Sequence, residues 1–197
     1  MSDPACINWM TFWTALAAVG TILVAISAVY GDLLRAKLIG PKLKIIPYNL
    51  RGDPTTVTEY DPSTKKPTKS YTAYYYHLKA VNSRRFIPAK NCRVMLRQLH
   101  RLGPDREFHP EVMIVHYQYV WAPAEWAPVF QTVADEAVLD FGRISQGDLF
   151  RPTLYAWGFN FKGFVNPGDS VRFSLQIVAD NYVSPRMQIF QVDWNGK

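Results

Sequence analysis

Between Asp3 and Asp32 the chain carries no charged side chain, and within that interval Ile7–Tyr30 reads INWMTFWTALAAVGTILVAISAVY. A run this long and this apolar leaves few ways to fold. At about 1.5 Å of rise per residue, its 24 residues make a helix of about 36 Å, enough to cross a hydrocarbon core of about 30 Å with some tilt. A cleaved secretory signal calls for a basic leader and an apolar core of about 7–15 residues. Here the side-chain charge before the run is Asp3 alone. A core helix of a soluble protein fits poorly as well, because an apolar stretch of more than about 18 residues without a charge favours lipid. Trp9, Phe12 and Trp13 at one end and Tyr30 at the other suit the two interfacial belts. The expectation is a short tail over residues 1–6 and a single transmembrane helix over 7–30.

The flanks set the orientation. Arg35, Lys37, Lys42 and Lys44 follow the run, and no basic side chain precedes it. Basic residues beside a span stay on the cytoplasmic side, which places the N-terminus outside and the remaining chain in the cytoplasm, at the inner (plasma) membrane. The same four residues are candidate contacts for anionic lipid headgroups, each worth about 1 kcal/mol near the surface. In this topology Cys6 and Cys92 face different compartments and cannot pair, which suits a domain held in a reducing environment. The apolar pattern continues through GDLLRAKLI, so the helix is expected to extend to about residue 39 as a juxtamembrane segment. Gly40-Pro41 then stops it, since proline cannot continue a helix and disfavours helix in the residue before it. Thr14, Ala17, Thr21, Ala25 and Ala28 share one helical face, a small-residue stripe through which two copies could associate, although Ala and Thr are common in any membrane helix.

Residues 41–197 amount to one domain, and their pattern has period two. Val171, Phe173, Leu175 and Ile177 alternate with Ser170, Arg172, Ser174 and Gln176, the signature of a half-buried strand, after a turn at Asn166-Pro167-Gly168-Asp169. Tyr74, Tyr76, Leu78 and Ala80 fall on one face of a second strand. Met113, Val115, Tyr117, Tyr119 and Trp121 do so on a third, and Phe190, Val192 and Trp194 near the end. KLKIIPY, AVLDFG and LFRPTLYAW are further candidates. Seven to nine short strands separated by Gly, Pro, Asn and Asp turns, with no second long helical pattern, predict an all-β domain built as an antiparallel β-sandwich. Residues 89–102 fit a strand with Cys92, Val94 and Leu96 inward, and also an amphipathic helix. Pairing with YYYHLKAVN across the loop SRRFIP favours the strand.

Tyr75-Tyr76-His77-Leu78, Ala80-Val81-Asn82, Ala89-Lys90-Asn91-Cys92-Arg93-Val94, Ala179-Asp180-Asn181 with Ser184, and Trp194-Asn195-Gly196 together resemble a group of uncharacterised bacterial single-pass membrane proteins. The resemblance implies an N-terminal span and an immunoglobulin-like sandwich. It brings no activity with it, and Asn195 stands where that group leads one to expect aspartate.

No phosphate-cradling GxxxxGK[ST], GxGxxG after a strand, HExxH or GxSxG occurs in the sequence. His77, His100, His109 and His116 are scattered, without the spacing of a zinc site, so neither a cofactor nor a metal is expected. His77 and His116 fall on the more polar faces of their strands and read as solvent-exposed. Cys92 reads as a small core residue, and Arg51-Gly52-Asp53 as a turn.

Two surface features stand out. Eight basic residues between Lys79 and Arg106, among them Arg84 and Arg85, face Asp105 alone, a local balance of +7 beside a net +6 for the chain. They are candidates for anionic lipid or an acidic partner, and equally for an ordinary solvated face. The lack of basic-aromatic interleaving argues against nucleic acid. Trp121 and Trp126 belong to a tandem Trp-Ala-Pro whose indoles either meet a partner or fold back over the sandwich. The function expected from these features is a membrane-anchored, non-catalytic binding or scaffold module with an unidentified protein partner. The alternatives are a membrane-perturbing effector that oligomerises through its span, and an enzyme of unrecognised class.

Overall fold

The computed structural model describes residues 9–38, 40–123, 128–145 and 148–196. It divides into two units, residues 1–40 and 41–197. In the first, helix α1 runs from Trp9 to Leu38, and the expected ends at residues 7 and 39 lie outside the described residues. Its portion Trp9–Gly31, with a mean hydropathy of 2.1 and no residue buried, is long and apolar enough to cross a membrane. The rings of Trp9, Phe12 and Trp13 cluster at its start, 5.6–6.3 Å apart. The hydroxyls of Thr14 and Thr21 donate to the carbonyls of Met10 and Ala17 one turn back, so α1 itself satisfies the polar atoms of the small-residue stripe.

The second unit is the antiparallel β-sandwich that the alternation predicted. Its first sheet holds β1 (Leu43–Tyr60), β2 (Pro67–Asn82), β8 (Glu136–Ser145) and β6 (Val120–Trp121) in the order β1-β2-β8-β6, with β9 (Phe150–Pro152) also on β8. The second holds β11 (Tyr182–Val183), β10 (Ser170–Ala179), β3 (Ala89–Leu102) and β4 (Phe108–Glu111) in that order. β12 (Gln188–Asp193) pairs with β10, and β5 (Tyr117–Gln118) and β7 (Gln131–Val133) pair with β3.

The core lies between the sheets. Val171, Phe173, Leu175 and Ile177 are buried as their alternation requires, the last three opposite Leu99, Leu96 and Val94 of β3, and Cys92 is buried further along that strand. Each large apolar side chain removed from water contributes about 1.5–3 kcal/mol. Residues 89–102 are a strand, with one feature the pattern hides. A register shift between Leu96 and Gln98 changes the parity of β3, so Leu99 and then Arg101, opposite Phe173 and Val171, fall on the inward face. The chain crosses from one sheet to the other at Tyr119, whose N–H donates to Val94 in the second sheet just before Val120 pairs with Asp140 in the first.

Several expectations need correcting. Twelve strands are present among the described residues rather than seven to nine, because six are only two to four residues long. Of LFRPTLYAW only Phe150–Pro152 is strand, and of VMIVHYQYVW only Tyr117–Gln118 and Val120–Trp121, with Val115 exposed. Tyr74 is also exposed. Conversely β1 runs well past KLKIIPY, through the Pro- and Gly-containing stretch to Tyr60, because register shifts at Pro47, Asn49 and Asp53 absorb the breakers.

Candidate functional site: a cavity between two sheet edges

β1 is the outer strand of the first sheet, and it approaches β12 of the second. At one point a side chain joins them as a strand would. The Gln188 amide donates to the Ile45 carbonyl at 2.9 Å and accepts from the Ile45 N–H at 2.6 Å. Beyond this clamp Pro47 offers no N–H, and β1 leaves its ladder with β2 between Asn49 and Asp53. The departure is held by Asn49, which donates to Asp53 at 2.6 Å and accepts from the Arg51 N–H at 2.9 Å. Gly52 sits there at φ +74, with the Tyr76 ring 3.1 Å from where a Cβ would stand. Arg51-Gly52-Asp53 is thus a bulge inside a strand.

Where β1 and β12 part, a cavity of about 710 Å³ opens, within the range of small-ligand sites. Its apolar wall comes from Tyr76, Phe141, Ile144, Phe150 and Phe190, and its polar wall from Asp169, Ser170, Gln191, Asp193 and Asn195. Phe141 stands 5.4 Å from Phe150 and 6.0 Å from Phe190, ring to ring. Phe150 can lie against β8 because residue 142 is glycine, where a Cβ would meet the ring at 2.3 Å.

The polar wall is braced from behind by Arg101. The parity change in β3 turns its guanidinium toward Glu111 (3.1 Å) and Asp169, and toward the carbonyls of Lys162 (2.7 Å) and Phe164 (2.9 Å). Asp193 accepts from the Ser170 hydroxyl and the Gln191 amide, and it pairs with no cation among the described residues. Trp194 closes this side, its indole donating to the Asp148 carbonyl at 2.7 Å.

His77 also lines the cavity, between two carboxylates: its Nδ1 is 2.7 Å from Asp140 Oδ1 and its Nε2 is 3.3 Å from Asp53 Oδ2. The Nδ1–H does not point along the line to its oxygen, so this is an ion contact more than an aligned hydrogen bond. Asp140 raises the His77 pKa above its ordinary 6.5 against the opposing effect of burial, and Asp53 adds to the rise. His77 is therefore not the solvent-exposed histidine its strand face implied, since Asp140 and the β1 bulge cover it.

The sequence candidates fall elsewhere. Lys42, just before β1, and Lys44 on it are exposed, and Arg84 and Arg85 lie in the loop between β2 and β3. Buried Asn82 ties that loop to the domain entry, accepting from the N–H of Lys42 (3.1 Å) and Arg84 (3.0 Å) and donating to the Ile87 carbonyl (2.8 Å). Arg85 pairs with Asp135 at 2.8 Å. The eight basic residues from Lys79 to Arg106 are spread over both sheets and their connections: Lys79 pairs with Glu136, Arg93 stacks on Phe130, and Arg101 is turned inward. Trp121 takes the second of its two alternatives and folds back into the sandwich, which removes it from the candidate partner contacts. It is 2 % exposed, with its indole donating to the Cys92 carbonyl, and so belongs to the core instead of meeting a partner. Cys92 is buried as expected, and burial pushes its thiol pKa up to about 11. Trp126 and the side chains of Arg35 and Lys37 lie outside the described residues.

Sequence reasoning passed over Asp53, Asp140, Asp169 and Asp193. Two signals were available: a carboxylate amid the apolar run AVLDFG, and a Gly52–Pro54 interruption in a stretch rich in β-forming threonine. No protein-family model matches the chain, and no curated protein sequence matches it.

Proposed function

We propose that this protein is a membrane-anchored, non-catalytic binding or scaffold module whose immunoglobulin-like sandwich faces the cytoplasm from the inner membrane and takes its ligand or partner in the cavity between β1 and β12. The carrying observation is the position of that cavity. Its Gly168–Ser170 wall lies at the start of β10, while Pro41 enters beside the loop that meets the other end, where Asp180 bonds Lys90. A ten-residue strand separates the two by about 30 Å. The Gly168–Ser170 side of the cavity is thus the side remote from Pro41, and the side lined by Pro47 and Leu78 is the nearer one.

The entry end is read as the lipid-facing one. From Leu38 to Lys42 the backbone reaches at most about 14 Å. The Ser83 N–H donates to the Lys42 carbonyl, which holds Arg84, Arg85 and the 84 % exposed Phe86 close to that link. Lys42, Lys44, Arg84 and Arg85 are accordingly proposed as contacts for anionic headgroups.

The test is site-specific photo-crosslinking of the full-length chain in its membrane, with the photoreactive residue at Leu50 or Gln191 on the cavity rim and at Val112 or Ile114 as exposed controls. A discrete adduct from the rim positions alone supports the reading. Equal labelling from all four, or none from the rim, overturns it.

A further inference from the structure

We infer that the cavity between β1 and β12 takes an apolar, aromatic-sized group bearing a positive charge, an inference that rests on reading this cavity as the binding site. Size and wall chemistry fix the apolar part. A space of about 710 Å³ floored by Phe141, Phe150 and Phe190 accommodates a ring or branched chain, and aromatic faces attract cations within about 6 Å.

Charge fixes the rest. The chain as a whole is basic, at net +6, yet among the described residues no Lys or Arg lines this cavity. Asp169 and Asp193 stand in its wall, and Asp53 and Asp140 flank the His77 imidazole that also lines it. Among the described residues these four carboxylates face one guanidinium, Arg101, engaged with Asp169, and one imidazole. Asp193, held by the neutral donors Ser170 and Gln191, is left as an oriented acceptor on the rim. A carboxylate or phosphate ligand would meet like charge at each of these points, whereas an ammonium or guanidinium finds both a counter-ion and ring faces. Anionic lipid is the poorer occupant, because its phosphate would meet the carboxylates of Asp169 and Asp193. A small amine and a Lys or Arg side chain of a protein partner supply the same chemistry.

The experiment compares three probes of one shape on full-length protein in zwitterionic nanodiscs: phenethyltrimethylammonium, phenylacetate and 2-phenylethanol, with N-acetyl-Phe-Lys-amide as a peptide arm. Binding is read from the shift of the Trp194 indole proton, since Trp194 lines the cavity. The expected result is at least a tenfold tighter Kd for the ammonium than for phenylacetate. In Asp193→Asn that preference should fall toward unity while 2-phenylethanol binds as before. Tighter binding of the peptide amide assigns the cation to a partner's side chain, and tighter binding of the ammonium assigns it to a small molecule; either supports the inference. Phenylacetate binding as tightly as the ammonium, or a preference that survives Asp193→Asn, overturns the charge assignment and leaves the cavity a binding site. If none of the probes shifts Trp194, the binding-site reading falls as well.

Discussion

Replacing Arg101 with methionine keeps an unbranched apolar stem and removes the guanidinium, and it should destabilise the sandwich by about 3 kcal/mol. The magnitude follows from what the guanidinium holds. Its loss takes a donor from the Glu111 and Asp169 carboxylates and from the Lys162 and Phe164 carbonyls, with Asp169 keeping its bonds from Asn166. Removing one partner of a fully buried ion pair costs about 3–5 kcal/mol. Here the side chains of Arg101, Glu111 and Asp169 are 24 %, 26 % and 32 % exposed, so water replaces part of the lost interaction and the low end applies. Arg101→Lys restores the charge but not the fork that reaches four acceptors at once, and it should recover only about 1 kcal/mol. Urea unfolding of the full-length chain in zwitterionic micelles, followed by tryptophan fluorescence, gives both values from the midpoints at constant slope. A methionine variant within about 0.5 kcal/mol of the parent, the range of an ordinary surface change, would refute the inward placement of Arg101. So would a lysine variant indistinguishable from arginine.

Three further outcomes follow from buried groups. Because the folded-state pKa of His77 is raised, the stability it contributes is fully present below its ordinary 6.5 and is lost as pH rises through the higher folded value. Asp140→Asn should flatten that part of the stability–pH curve, and a curve unchanged by the substitution would contradict the pairing. Trp121→Ala should cost about 3–5 kcal/mol, as expected for a large core side chain, and a loss below about 1 kcal/mol would return Trp121 to the surface. In a Cys6→Ser chain, Cys92, buried and with its pKa pushed up to about 11, should react with maleimide at pH 8 only on unfolding; labelling of that native chain within minutes would contradict this.

The fold could be read from the sequence where one physical pattern acted without interruption. The charge-free run gave α1, and strict alternation gave β10 and the first half of β3. It failed where parity changes. The shift after Leu96 is invisible in composition, so Arg101 counted as one of eight surface cations when it braces the cavity wall. The bulge at Asn49–Asp53 looked like the end of a strand, because Gly52 and Pro54 break a ladder in the absence of the Asn49–Asp53 contact that repairs it. The cavity was beyond sequence reasoning for a related reason: it exists because two edges from opposite sheets, 143 residues apart in the chain, touch at Gln188 and Ile45 and then diverge. Trp121 misled through its neighbours, since Pro123 marks a loop while Trp121 itself is still paired with Leu139.

Anchorage by α1 is the premise on which the placement of the sandwich rests, and alkaline carbonate extraction of membranes carrying the full-length chain tests it most directly. The account predicts that the protein stays in the membrane pellet at high pH, as an integral span does. Its release into the supernatant would contradict the account.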